Sequence, residues 1–235
     1  MSRLAVVAAL EREVAPLIRD WKVRTVESDG RKYRFFENGD VTLVCGGIGR
    51  EAARRATEAI LQDTNPSLVI SVGFVGALDP KWRVADVIEP RTIIDAQDGS
   101  RTDTGAGEGT LISFAAVASR EQKARLRDAY AGAAAVDMEA AAVARGAQLR
   151  GVPFAAFKAV SDVAAFDMPE MEKFIAADGR FRTMMFALHV AVRPWLWSST
   201  IALSRNSAKA SKALCAAFAQ YLSRLETQTP VKEFL

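Results

Sequence analysis

A chain of 235 residues, half of them hydrophobic, is long enough to bury a substantial core within one large α/β unit. Its formal charge of +3 comes from 31 Lys and Arg against 28 Asp and Glu, with the two signs interleaved, which gives no basic stripe for nucleic acid. Cys45 and Cys215 lie far apart and there is a single histidine, so the composition argues against a Cys/His metal cluster or a disulfide framework and points to a reducing cytoplasm.

Residues 4–10, LAVVAAL, read as a buried first strand, too short for a secretory leader and followed at once by Glu11. Glu11-Arg12-Glu13 opens a helix carrying Val14, Leu17, Ile18 and Trp21 at helical spacing, which puts Glu13 in a first turn beside a strand end. Complementing the helix dipole would account for Glu11 by itself. Residues 22–28 and 33–38 flank Asp29-Gly30 as a hairpin, and residues 41–45 follow as a strand. Gly47, Gly49 and Ala52 have the GxGxxA spacing of a dinucleotide fingerprint, but no acid ends the next strand, so they read as a tight turn with close helix approach. Residues 68–72 form a buried strand ending in a glycine-containing turn, 73–77, where backbone can approach a ligand. Residues 86–95 carry a strand pattern, 97–109 are the most loop-like stretch, 110–118 are strand-like and 121–130 form a charged amphipathic helix.

The stretch 134–163 organises the rest. Small apolar residues 133–136 lead as a strand into Asp137-Met138-Glu139, and AAAVARGAQL then reads as a helix. Gly151-Val152-Pro153 turns the chain into PFAAFKAV, a second strand that ends on Ser161-Asp162. Two carboxylates at two strand ends would point into one crevice, since open α/β sheets bind ligands beyond the carboxyl ends of their strands. Beyond Asp162 a loop is expected at 164–169 and a short helix at 170–177. The apolar run 184–203 is interrupted by His189, Arg193 and Pro194, so it falls short of the roughly 20 uncharged residues of a membrane span, though it has the character to lie on a bilayer. A final amphipathic helix is expected at 209–225, followed by a polar tail. The alternation of strands and helices over 1–235 favours a single α/β domain with a mixed sheet.

Taken together, ALEREV, GGIGREAA, SVGFVGAL, VDMEAAAVA and VPFAAFKAVSD resemble the purine nucleoside phosphorylase and nucleosidase superfamily over residues 4–165, most closely its methylthioadenosine/S-adenosylhomocysteine nucleosidase branch. The resemblance implies a three-layer α/β/α fold with a central mixed sheet. It also implies hydrolytic cleavage of the bond between adenine and ribose without metal or organic cofactor, as in methionine salvage, by a cytoplasmic homodimer. On it, Asp162 would protonate or hydrogen-bond N7 of the purine, a task a carboxylic acid performs when burial raises its pKa towards neutrality. Glu139 would hold the ribose hydroxyls, Met138 would pack on the sugar, Glu13 would orient or deprotonate the attacking water, Ser161 would support Asp162, and Gly76 would leave room at the ribose. Each residue also has a plain structural account: Asp162 as a helix N-cap, Glu139 as a first-turn acid, Met138 as core filler. It is the three acids at three strand ends, in family order, that favour the functional account.

The chain departs from that branch at several points. Lys158 stands where the nucleosidases carry an arginine near the water, keeping the charge without the planar fork. Phe74 replaces a small polar residue beside the ribose, and Ala116 and Val117, with Phe114 nearby, occupy the place of the purine-stacking phenylalanine. The phosphate-binding arginine of the phosphorylases is Ser71 here, which favours water as nucleophile. The C-terminal segment, about 178–205, resembles the hopanoid-associated phosphorylase branch, whose proposed substrate is an adenosylated triterpenoid. A dimer interface or ordinary core is the plain account of this apolar segment, and an apolar wall beside the ribose 5′ side, with peripheral contact with the inner membrane face, is the sharper expectation. A rival from another class is a nucleoside-binding module without turnover.

Overall fold

The computed structural model describes residues 3–166 and 171–228. In chain order the elements are β1 (Leu4–Ala8), α1 (Glu11–Ile18), β2 (Lys22–Ser28), β3 (Arg31–Asn38), β4 (Val41–Cys45), α2 (Arg50–Thr64), β5 (Leu68–Ala77), β6 (Val87–Ile88), β7 (Thr92–Asp95), β8 (Arg101–Asp103), β9 (Thr110–Ser113), α3 (Arg120–Ala129), β10 (Ala133–Asp137), α4 (Ala140–Leu149), β11 (Phe154–Asp162), α5 (Thr183–Ala191) and α6 (Trp197–Gln228). Among the described residues all eleven strands join one mixed sheet, ordered β2-β3-β4-β1-β5-β10-β9-β7-β8, with β11 beside β5 and β6 beside β11.

β1 is apolar throughout because it lies between β4 and β5, parallel to both, with each face covered. Its pleat divides its side chains between two layers. Ala5 and Val7 join a buried cluster that also holds Ala53, Ala56 and Ile60 of α2 and Val143 and Ala144 of α4. Leu4, Val6 and Ala8 join a second buried cluster, with Val14 and Ile18 of α1 and Leu214 and Phe218 of α6. The result is the expected α/β/α arrangement. Helix α3 covers a third cluster through Leu126, against Ile94, Ile112 and Val136.

The sheet forks at β5, and the fork is what creates a site. β5 runs parallel to β1 through residues 68–72 and parallel to β11 through residues 69–76, while Gly76 and Ala77 pair antiparallel with β10. The glycine-containing segment 73–77 is therefore continuous strand rather than the expected turn. Gly73 and Gly76 are needed there for space, because the side chains of Glu13, Lys123, Lys158 and Asp162 press against the strand.

Other boundaries also move. The expected strand 86–95 divides into β6 and β7 around Pro90, which has no N–H for a ladder. The loop 97–109 contains β8, paired antiparallel with β7. The strand expected over 110–118 stops at Ser113. The last helix begins at Trp197 instead of residue 209 and runs to Gln228. A 3-10 turn at Glu172–Phe174 stands in place of the expected short helix. Residues 167–169 of the expected loop, Glu170 of that helix and the tail 229–235 lie outside the described residues.

Candidate active site

Around the fork, residues from the ends of β5, β10 and β11 and from the start of α1 line one cavity of about 660 Å³. Glu13, Glu139 and Asp162 all reach it, with Phe74, Gly76, Val117, Met138 and Ser161. The sequence-predicted site residues Lys158 and Phe114 do not. Lys158 lines a smaller space beneath, shared with Glu13, Glu139 and Ser71. Phe114 lines a recess behind Met138 together with Arg50 and Asp95.

Glu13 is buried in the first turn of α1, and its Oε2 accepts the backbone N–H of Leu10 at 3.4 Å. Burial pushes its carboxyl up from 4.5 to about 7, against the opposing charges of Lys158 and Arg12. Glu139 immediately precedes α4 and keeps part of its surface open to the cavity. Its Oε1 accepts the N–H of Gly49 at 2.7 Å, and Oε2 that of Met138 at 3.2 Å. Gly49 caps α2 at φ 94°, a left-handed conformation that aims its N–H across the sheet. The protein atoms packed round the Glu139 carboxyl, followed by the neighbouring Asp137 charge, push it up to about 7, with Lys158 pulling the other way.

Asp162 ends β11, where the register against β5 shifts between Val160 and Asp162. A bulge of this kind re-aims side chains. Ser161 Oγ donates to Asp162 Oδ1 at 2.8 Å, as expected of a supporting hydroxyl. The other oxygen, Oδ2, is ion-paired with Lys123 of α3, and both residues are 2 % exposed. Lys123 Nζ also donates to the Val163 carbonyl at 3.1 Å. Asp162 is thus a carboxyl held between a hydroxyl and an ammonium, rather than one surrounded only by apolar groups. Gly76 makes room for this pair: a Cβ there would lie 2.8 Å from Asp162 Oδ2 and 3.0 Å from Lys123 Cε.

A second buried ion pair sits below. Lys158 Nζ lies 2.9 Å from Asp137 Oδ2 and donates to Ser71 Oγ at 2.9 Å. Asp137 also accepts from Ser113 Oγ at 2.6 Å and from the Ala140 N–H at 2.9 Å. The Lys158 ammonium is therefore committed to structure beneath the cavity.

Lys123 and Asp137 were not singled out by sequence reasoning. Lys123 is one cation among many on a charged helix, and its only signal is a position three residues before the core-facing Leu126. Asp137 was visible in VDME but read as the end of a strand. His189 lies outside the cavity, edge-on to Phe174 with ring centroids 5.0 Å apart. From the C-terminal part, Phe181, Phe186 and Leu203 reach the cavity and close one side with apolar surface.

The family model described as the phosphorylase superfamily matches residues 3–130 and 107–192. The chain is 26% identical over 208 residues to a 5′-methylthioadenosine/S-adenosylhomocysteine nucleosidase from Marinomonas sp. (strain MWYL1), covering 72% of this chain and 90% of that relative. It is 30% identical over 161 residues to a nucleosidase of the same name from Glaesserella parasuis serovar 5 (strain SH0165), covering 54% of this chain and 70% of that one. Its fold matches S-adenosylhomocysteine nucleosidase from Streptococcus pyogenes, solved with 5-methylthiotubericidin, at a TM-score of 0.70 and 19% identity over 98% of both chains.

Proposed function

The chain belongs to the phosphorylase superfamily, and from that membership we propose that its cavity hydrolyses the N-ribosidic bond of an adenine nucleoside of the methylthioadenosine/S-adenosylhomocysteine type, releasing adenine. The observation that carries this reading is the convergence of Glu13, Glu139 and Asp162 on one cavity large enough for a nucleoside.

In this reading Asp162 faces N7 of the purine, and a proton delivered there makes the base a better leaving group as positive charge develops on the ribose. Glu139, fixed by the Gly49 and Met138 N–H groups, accepts the ribose hydroxyls, and Met138 lies against the sugar. Glu13, held near 7, takes the proton from the attacking water. Phe74, Ala116 and Val117 supply the apolar walls, while Phe114 acts only from behind Met138. Water is favoured over phosphate because Ser71 occupies the phosphorylase arginine position and the nearby Lys158 is bound to Asp137. The test is direct: purified protein with methylthioadenosine, S-adenosylhomocysteine or adenosine should release adenine and a free sugar without added phosphate. Strictly phosphate-dependent turnover would replace hydrolysis by phosphorolysis, and absence of release from all three would favour the binding-module rival.

A second reading concerns the 5′ side. Phe181, Phe186 and Leu203 line the cavity, and the same segment exposes Met184, Leu188, Val192 and Trp195. Among the described residues no helix is long and apolar enough to cross a membrane. We therefore extend the proposal to a nucleoside with a large lipid substituent, such as an adenosylated triterpenoid, met by a cytoplasmic protein at the inner membrane face. The homodimer implied by the resemblance stays part of the proposal, and its mass in solution is the check.

A further inference from the structure

Lys123 occupies a position that the three-acid reading does not use. It comes from α3, the helix set beneath the third core cluster, and reaches the cavity floor with its ammonium 2 % exposed. Helix α3 is fixed at its start by a capping box, in which Gln122 N–H donates to Ser119 Oγ at 3.3 Å and Ser119 N–H to Gln122 Oε1 at 2.7 Å. The next residue is Lys123, so its direction is set by a rigid helix start. A long, strongly hydrated ammonium is rarely buried fully unless it is paired, and the space it occupies exists only because residue 76 has no side chain.

We propose that Lys123 is the proton source for cleavage, acting through Asp162. This rests on the nucleosidase reading above and deepens it. With Ser161 Oγ donating to Oδ1 and Lys123 Nζ set against Oδ2, both carboxyl oxygens of Asp162 act as acceptors, and the donor placed to feed a proton through the carboxyl to N7 is Lys123. In the step, the Nζ–H bond of Lys123 breaks as an Oδ2–H bond forms on Asp162, and that bond breaks in turn as N7–H forms. The electron pair of the cleaved C1′–N9 bond stays with the base, which leaves neutral. Water adds to C1′ and passes its proton to Glu13. The site thus ends with one proton moved from Lys123 to Glu13, and exchange with solvent resets it.

Two variants and two leaving groups test this. Adenine release from methylthioadenosine needs the N7 proton; 4-nitrophenyl β-D-ribofuranoside expels a stabilised phenolate and does not. Lys123→Met leaves a buried carboxyl without its cation, which favours the protonated acid and lets Asp162 donate directly, so this variant reports on folding. Where the charge is kept, kcat on the nucleoside should fall on the order of a hundredfold or more with KM little changed, while the rate on the nitrophenyl riboside stays within about threefold of wild type. Lys123→Arg keeps the buried charge, and so guards against a variant that fails to fold, but a guanidinium does not give up its proton. It should show that selective loss. Equal losses on both substrates in folded protein would reduce Lys123 to a structural cation, and a wild-type rate on the nucleoside in Lys123→Arg would overturn the relay. A wild-type protein that releases no adenine would instead defeat the nucleosidase reading, so the two failures are distinguishable.

Discussion

Glu139 Oε1 and the backbone N–H of Gly49 are joined by a 2.7 Å hydrogen bond that ties the strand-to-helix corner after β10 to the start of α2, two elements ninety residues apart in sequence. The bond fixes one carboxylate oxygen, and with it the direction in which the rest of the group faces the cavity. A glutamine here would have to turn its single acceptor towards Gly49 and present an NH₂ to the ribose. Glu139→Gln should therefore lower kcat/KM for the nucleoside by roughly 10–100-fold, the range of one charge-assisted hydrogen bond, mainly through KM. Steady-state kinetics decide the matter, and an unchanged KM would remove Glu139 from sugar binding.

Glu13 gives the pH dependence. With its carboxyl raised to about 7, the ionised form that can accept a proton from water accumulates only as pH rises through neutrality. The acidic limb of kcat/KM should fall near pH 7, and Glu13→Gln should remove about 10²–10⁴ in kcat. Stability moves the other way. An unfolded Glu loses its proton near 4.5 and the folded one near 7, so between those values the native state holds the extra proton and stability falls as pH rises. The gap amounts to on the order of 3 kcal/mol, and Glu139 shifts in the same direction. Urea melts at pH 5 and pH 8 should show wild type weaker at pH 8, with the difference reduced in Glu13→Gln.

Asp162→Asn should nearly abolish turnover, because an amide neither accepts the proton from Lys123 nor passes one to N7. It also strands a buried ammonium, and removal of one partner from such a pair costs about 3–5 kcal/mol. Adding Lys123→Met to Asp162→Asn should restore part of that stability without restoring activity. A double variant no more stable than Asp162→Asn in the same melt would show that the pair is not coupled.

Gly76→Ala tests the geometry without touching a charge. The added Cβ would meet Asp162 Oδ2 at 2.8 Å and Lys123 Cε at 3.0 Å, so the pair must shift. A displacement of this size at a reacting group should cost about a hundredfold in kcat. Near-normal kcat in Gly76→Ala would mean that the pair tolerates displacement, contrary to the relay.

The strands, the fork acids and the order of the elements were legible because they depend on local pattern: apolar runs between turn residues, and acids where those runs stop. Lys123, Asp137 and the course of β5 were not, because each is defined by a partner far along the chain. Residues 73–77 look like a turn when their glycines are taken as conformational freedom. They prove to be a strand stripped of side chains so that Glu13, Lys158, Asp162 and Lys123 can approach it. Likewise, a lysine on a charged helix carries no mark that it points inwards. Only its pairing with Asp162, 39 residues on, distinguishes it.

The C-terminal segment remains the clearest departure from an ordinary surface. No residue of α5 is buried, and Met184, Met185, Leu188 and Val192, with Trp195, Trp197 and Ile201 beyond, stand exposed in one stretch. Arg182 and Arg205 lie in and beside the stretch and are also exposed, whereas Arg193 is half-buried and donates to the His189 carbonyl at 3.0 Å. Apolar side chains flanked by cations match the boundary of an anionic bilayer, where the tails take the former and the headgroups the latter. Phe181, Phe186 and Leu203 of the same region face the cavity, so a lipid-bearing substrate held at the bilayer would enter beside them. Trp195→Ser combined with Trp197→Ser should then abolish co-sedimentation with vesicles containing anionic lipid and slow cleavage of a lipid-linked adenine nucleoside, while methylthioadenosine is cleaved as before. A second copy of the chain is the competing occupant. If the wild-type protein ignores such vesicles, and the double substitution converts a dimer into a monomer by light scattering, the exposed stretch is a subunit interface and the substrate is a small thionucleoside.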